Sequence, residues 1–167
     1  MRHLTAFGIL PLVLLTSLPA HAQMVTLSPQ QIGQIFCIGS LGNDMAPVEA
    51  LLTPDLSAQI AEAWSRNAEY EAANPGDKPP LGDGIPWRGW QDYADGCEAW
   101  EGLTDGDIAF VEVNYSFSSE PSANYTNILV LKPVPLSEGM PPVWRIDDID
   151  LGEGNMLRQR LTAAFAP

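Results

Sequence analysis

The chain has 167 residues and a formal net charge of −13, and its two histidines, His3 and His21, both fall in the first 22 residues. Cleavage after residue 22 would remove both along with Arg2, leaving residues 23–167 without His and with a charge of −14. That excludes His-based general acid–base chemistry, His-activated nucleophiles and His metal ligands, and an acidic surface repels nucleic-acid phosphate and anionic lipid.

Residues 1–22 read as a secretory signal peptide. Arg2 and His3 form a polar start, residues 4–15 are almost wholly apolar, and Ala20-His21-Ala22 is an A-x-A cleavage site followed by Gln23. The apolar run is too short to span a bilayer and contains Pro11. No Cys stands directly after the cleavage site, as a bacterial lipoprotein would have, and no later segment is long and apolar enough to span a membrane. The expected location is therefore secreted or periplasmic, without stable membrane insertion. In an oxidising compartment the two cysteines, Cys37 and Cys97, read as one disulfide. A bonded Cys serves neither as nucleophile nor as ligand. Residues 23–167 suit one domain with one core.

The expected elements begin with Ser28-Pro29-Gln30-Gln31, a helix start with a capping serine, a proline at the first helical position and a capping-box glutamine. Ile32, Ile35 and Phe36 share a face, and Gly39 and Gly42 close this helix. Val48, Leu51 and Leu52 mark a short second helix. A third opens near Thr53-Pro54, with Leu56, Ile60 and Trp64 recurring at i, i+4 and i+8, and Asn74-Pro75-Gly76 ends it. Residues 76–96 form a long loop rich in Gly, Pro and Asp that also holds Trp87, Trp90 and Tyr93; loops this long in compact domains are usually functional or mobile. From Cys97 the period becomes two. Strands are expected at 98–103, 109–117, 127–132 and 143–151, separated by turn-rich stretches and followed by a short helix over 156–165.

Helices first and then a meander of strands predict an α+β fold, with N-terminal helices packed on a curved antiparallel sheet. With Trp144-Arg145-Ile146-Asp147-Asp148-Ile149 on the last strand and Leu157-Arg158-Gln159-Arg160-Leu161 after it, the chain resembles small secreted domains of unknown function in the nuclear transport factor 2-like superfamily, a cystatin-like α+β cone. The resemblance implies a cone with a pocket on its concave face. Enzymatic members place Asp, His or Tyr inside the cone; those positions do not map onto this chain, so catalysis is not implied.

Several residues carry candidate chemistry. Asp147, Asp148 and Asp150 form the densest acidic group. Alternation puts Asp148 and Asp150 on one face and Asp147 on the other unless a bulge intervenes. They either share a proton or a cation in a cleft, or simply cap the next turn and pair with Arg145 or Arg158. Glu112, Asn114 and Ser116 share one face of the central strand. On a concave face they would line a pocket, with Glu112 as a candidate general base; if Ala109, Val111, Val113, Tyr115 and Phe117 face the helices instead, Glu112 is solvated. Glu112 and Asp148 are the only candidate catalytic residues. Asp83, Asp92, Asp95, Asp105 and Asp107 fit no calcium loop and read as turn carboxylates. Trp87, Trp90, Tyr93 and Trp100 flank Cys97, suited either to stacking on a ligand or partner or to covering the disulfide. No metal or cofactor is expected.

The leading expectation is a non-enzymatic secreted binding domain that holds a small molecule, glycan or protein in the cone cavity or at the aromatic loop, with Trp87, Trp90, Tyr93, Glu112 and Asn114 as binding candidates. One alternative is an acidic inhibitor or immunity-type factor steered to a basic target. The other is a carboxylate-dependent isomerase or hydrolase.

Overall fold

The computed structural model describes residues 26–42, 44–82, 87–89 and 92–166; the signal peptide read at 1–22, Asp83 and Trp90 lie outside the described residues. Helix α1 spans Pro29–Gly42, α2 Ala46–Glu49 and α3 Pro54–Ala73; strands β1 (Gly96–Asp105), β2 (Ile108–Ser116), β3 (Tyr125–Val134) and β4 (Val143–Asp150) follow, and α4 (Leu157–Ala163) closes the chain. The strands form one antiparallel sheet in the order β1-β2-β3-β4, so each pairs with its chain neighbours. The class is α+β. Among the described residues no helix is long and apolar enough to cross a membrane.

The local signals act as their chemistry requires. At the start of α1 the Gln31 amide donates to Ser28 Oγ (3.3 Å) and the Ser28 amide donates to Gln31 Oε1 (2.9 Å), a reciprocal capping box. Thr53 caps α3 by accepting from the Leu56 amide at 3.3 Å, with Pro54 at the first helical position. Gly106, at φ +58°, makes the tight turn between β1 and β2.

One face of the sheet carries the core. Ala109, Val111, Val113 and Tyr115 of β2, Leu129 and Leu131 of β3, and Ile146 and Ile149 of β4 are all buried, packed in one cluster with Ile32 and Phe36 of α1, Leu56 of α3, and Leu157 and Leu161 of α4. Alternation on β2 therefore resolves in favour of its apolar set. Helix α1 lies very close to the sheet: a methyl at Gly33 would sit 2.4 Å from a Val111 methyl carbon, so only glycine permits that approach. A disulfide joins Cys37 of α1 to Cys97 of β1, with their Cα atoms 5.8 Å apart.

The β4 edge is covered by the segment before α3. The Ile146 amide donates to the Leu51 carbonyl and the Thr53 amide to the Ile146 carbonyl, both at 2.8 Å. The register shifts between Val130 and Leu131, which pair with Asp148 and Ile146, so Asp147 is the extra residue of a bulge. The bulge aims its carboxylate at Lys132 Nζ (2.7 Å), Arg158 Nη2 (2.8 Å) and the Thr53 hydroxyl, which donates at 3.1 Å. Burial pushes the Asp147 carboxyl up, but the Lys132 hydrogen bond, the Arg158 and Lys132 charges and the Thr53 hydroxyl together hold it below the usual Asp value.

A folded pKa below the unfolded value, about 3.9, means stability that is present above that value and lost as pH falls through the folded one. Asp147→Asn is accordingly expected to destabilise the fold by about 1–2 kcal/mol at neutral pH, with the gap to the native protein closing below about pH 4. Urea unfolding of both proteins across pH measures this; a gap independent of pH would show that the charge of Asp147 is not what matters.

Candidate functional site

Helix α3 provides the first sign of a site. Its stripe Leu56, Ile60 and Trp64 has core spacing, yet only Leu56 is buried; Ile60 and Trp64 stay half-exposed. They face a cavity of about 300 Å³ bounded by Phe36 of α1, Met45 and Val48 around α2, Leu52, Ile60 and Trp64 of α3 and its approach, Trp87 of the loop, Ile149 of β4 and Leu157 of α4. Helix α2 is only four residues long and buries just Val48, so it spans too little to close the gap. Trp64 and Trp87 meet edge to face, with centroids 6.4 Å apart and planes at 65°, an arrangement aromatic pairs favour. Among the described residues of the lining, Glu49 and Ser57 carry the ionisable and hydroxyl side chains. Such a pocket excludes water from an apolar guest and, among the described residues, holds no pair of ionisable groups for proton transfer.

Trp87 is held in place by a buried polar turn. Its carbonyl accepts from Asn127 Nδ2 at 3.3 Å, and Asn127 is fully buried on β3. The next residue, Arg88, is 3% exposed. Its guanidinium donates to the Ser40 carbonyl and lies 4.0 Å from the Tyr93 ring centroid, a cation–π contact. Its carbonyl accepts from Arg160 Nη1 at 3.3 Å. Gly89 follows because a methyl there would stand 2.6 Å from the Leu151 carbonyl oxygen and 2.9 Å from Asn127 Oδ1. Ser40 Oγ and Tyr115 Oη are 2.6 Å apart, and Tyr115 stacks on Tyr125 with centroids 4.6 Å apart. Burial raises the Tyr115 phenol far above its ordinary value and pushes Tyr125 up to about 12, against the pull of the Arg88 charge. Both phenols therefore stay protonated at neutral pH. Three buried atoms around this turn, Trp87 Nε1, Arg88 Nη1 and Asn127 Oδ1, have no hydrogen-bond partner among the described residues.

The other sequence candidates among the described residues lie apart from the pocket. Glu112 is exposed on the sheet face away from the helices, paired across strands with Trp100 and Ile128. Asn114 is on that same face, accepts from Thr126 Oγ1 and borders an open polar groove of about 580 Å³ with Glu98, Ser116 and Tyr125. Asp148 Oδ1 accepts from the Ile149 and Arg158 amides, the latter in the first turn of α4, and Asp150 Oδ1 accepts from the Gly152 and Gly154 amides. Those carboxylates are engaged locally, at strand end and helix start. Tyr93 is 54% exposed beneath Arg88, outside the pocket lining. Asp95 accepts from the Ser118 hydroxyl and amide, which lower its carboxyl pKa. Of the binding candidates among the described residues, Trp87 alone lines the pocket. Phe36, Val48, Ile60 and Trp64, its main partners there, read in sequence as core.

No protein-family model, no curated protein and no solved structure matches this chain.

Proposed function

We propose that the chain is an exported, non-enzymatic binding domain that carries a small apolar molecule in the pocket between α2, α3 and the sheet. The observation that carries this reading is the half-exposed Ile60–Trp64 stripe: both side chains line a cavity of about 300 Å³, and Ile60 packs against the core only in part. That volume lies at the small end of ligand sites and suits a compact ring system or a short acyl chain. Glu49 at the lining favours a neutral guest, or one with a hydrogen-bond donor turned to that side. The disulfide supports an oxidising compartment. Helices preceding an antiparallel sheet support the nuclear transport factor 2-like reading.

Ala61 is exposed at the pocket rim, so Ala61→Trp tests the site without touching the core. Mature native protein is expected to bind the neutral dye N-phenylnaphthylamine saturably, followed by dye fluorescence excited through the tryptophans. The variant should lose about tenfold or more in affinity at an unchanged melting temperature. Absence of saturable uptake, or equal uptake by the variant, would overturn the reading.

A further inference from the structure

The two edges of the sheet are treated differently. The β4 edge pairs with residues 51–53, whereas among the described residues no segment pairs with the outer edge of β1, a ten-residue strand. Unpaired edges are docking templates unless blocked. Among the described residues, the hydrogen bond that reaches β1 backbone from outside the sheet is a long one, from Gln30 Nε2 of α1 to the Ala99 carbonyl at 3.5 Å.

Large apolar side chains gather at this edge. Trp100 is 54% exposed, Leu103 82%, and Ile38 of α1 72%. Trp100 and Ile38 border one groove of about 340 Å³. The charge around them has one sign. Between residues 89 and 131 the sequence holds eight Asp or Glu and no Lys or Arg, and Glu98, Glu101 and Asp105 lie on β1 itself, all exposed. A second copy of the chain would bring the same carboxylates against these, so self-pairing along β1 is opposed by like charge.

We infer that the β1 edge docks an extended cationic segment of another protein, adding it to the sheet as a further strand. The partner's backbone would take up the free edge groups, its apolar side chains would cover Trp100, Leu103 and Ile38, and its Lys or Arg would meet Glu98, Glu101 and Asp105. This surface is separate from the apolar pocket, and neither proposal depends on the other.

The test uses a synthetic peptide that repeats Lys-Lys-Leu-Leu, so that each face of the added strand carries both residues, as Glu98 and Trp100 on one face of β1 and Glu101 on the other require, with its Glu-for-Lys counterpart as control, titrated into the mature oxidised protein. The cationic peptide is expected to bind saturably and to weaken as salt rises; the acidic one should not bind. Glu98→Gln with Glu101→Gln, and separately Trp100→Ser with Leu103→Ser, should each weaken binding about tenfold. A control pair on the exposed side of α3, Glu62→Gln with Glu71→Gln, should leave it within about twofold. Hydrogen exchange should slow on binding at β1 amides, between residues 97 and 105. Equal loss in the control pair would reduce the effect to net charge and overturn the inference. So would absence of saturable binding, protection appearing away from β1, or sedimentation showing that the chain pairs with itself through this edge.

Discussion

Removing the Cys37–Cys97 bridge is expected to lower the melting temperature by on the order of 10 °C. The bridge links α1 to β1 across 60 positions, and closing a loop of that length is worth about 4 kcal/mol in the chain-entropy account. Its effect is mechanical as well. The helix it pins is the one whose Gly33 approaches Val111, and whose Ile32 and Phe36 are wholly buried. In the reduced protein α1 would be held by packing alone. Two measurements separate these contributions: calorimetry of the native protein with and without reductant, and of Cys37→Ala with Cys97→Ala. Reduced native protein and the double variant should melt within a few degrees of each other, and both well below the oxidised form. If reduction leaves the melting temperature unchanged, the loop is already constrained by other contacts and the bridge adds nothing to equilibrium stability.

Phe36→Ala is expected to cost about 3–5 kcal/mol. Phe36 is fully buried and belongs to the core cluster, yet it also forms part of the pocket wall. Truncation would remove a large ring from the α1–sheet contact and open the cavity toward the core. Two readouts should therefore move in opposite senses: urea unfolding shows lower stability, while the folded fraction accepts a bulkier dye than the native pocket admits. A cost under about 1 kcal/mol would mean that the surroundings collapse into the space and that the wall is not rigid. Trp64→Ala is a useful contrast, because Trp64 is half-exposed; dye affinity should suffer there more than stability.

Much of the fold was legible in the sequence because local chemistry and burial agree. Ser28 and Gln31 form their capping box, Ala109 through Tyr115 alternate as a half-buried strand must, and Cys37 and Cys97 pair. Strands β1 and β3 run two residues longer at each end than their apolar centres predict, since Gly96, Thr104, Tyr125 and Val134 pair without contributing to the periodic signal, whereas β2 is shifted by one residue and β4 stops one residue early. The pocket was legible only through Trp87. Spacing shows that Leu56, Ile60 and Trp64 share a helix face, but not whether the opposing element fills the space in front of it; here a four-residue α2 does not. The bulge at Asp147 was also hidden, because a period of two carries no mark of an inserted residue, and residues 51–53 are too short a pairing to register as a strand. Glu112 and Asp148 drew notice as carboxylates near a concave face. In the fold the first is turned outward and the second caps a helix start, outcomes that depend on which face the helices cover.

The measurement closest to the central claim is a methyl and indole N–H NMR titration of the mature oxidised protein with N-phenylnaphthylamine. The pocket reading predicts saturable shifts confined to the methyls of Val48, Leu52, Ile60, Ile149 and Leu157 and to the indoles of Trp64 and Trp87. Silence at those groups, or shifts falling instead on the methyls of Ile128 and Val130 on the opposite sheet face, would contradict it.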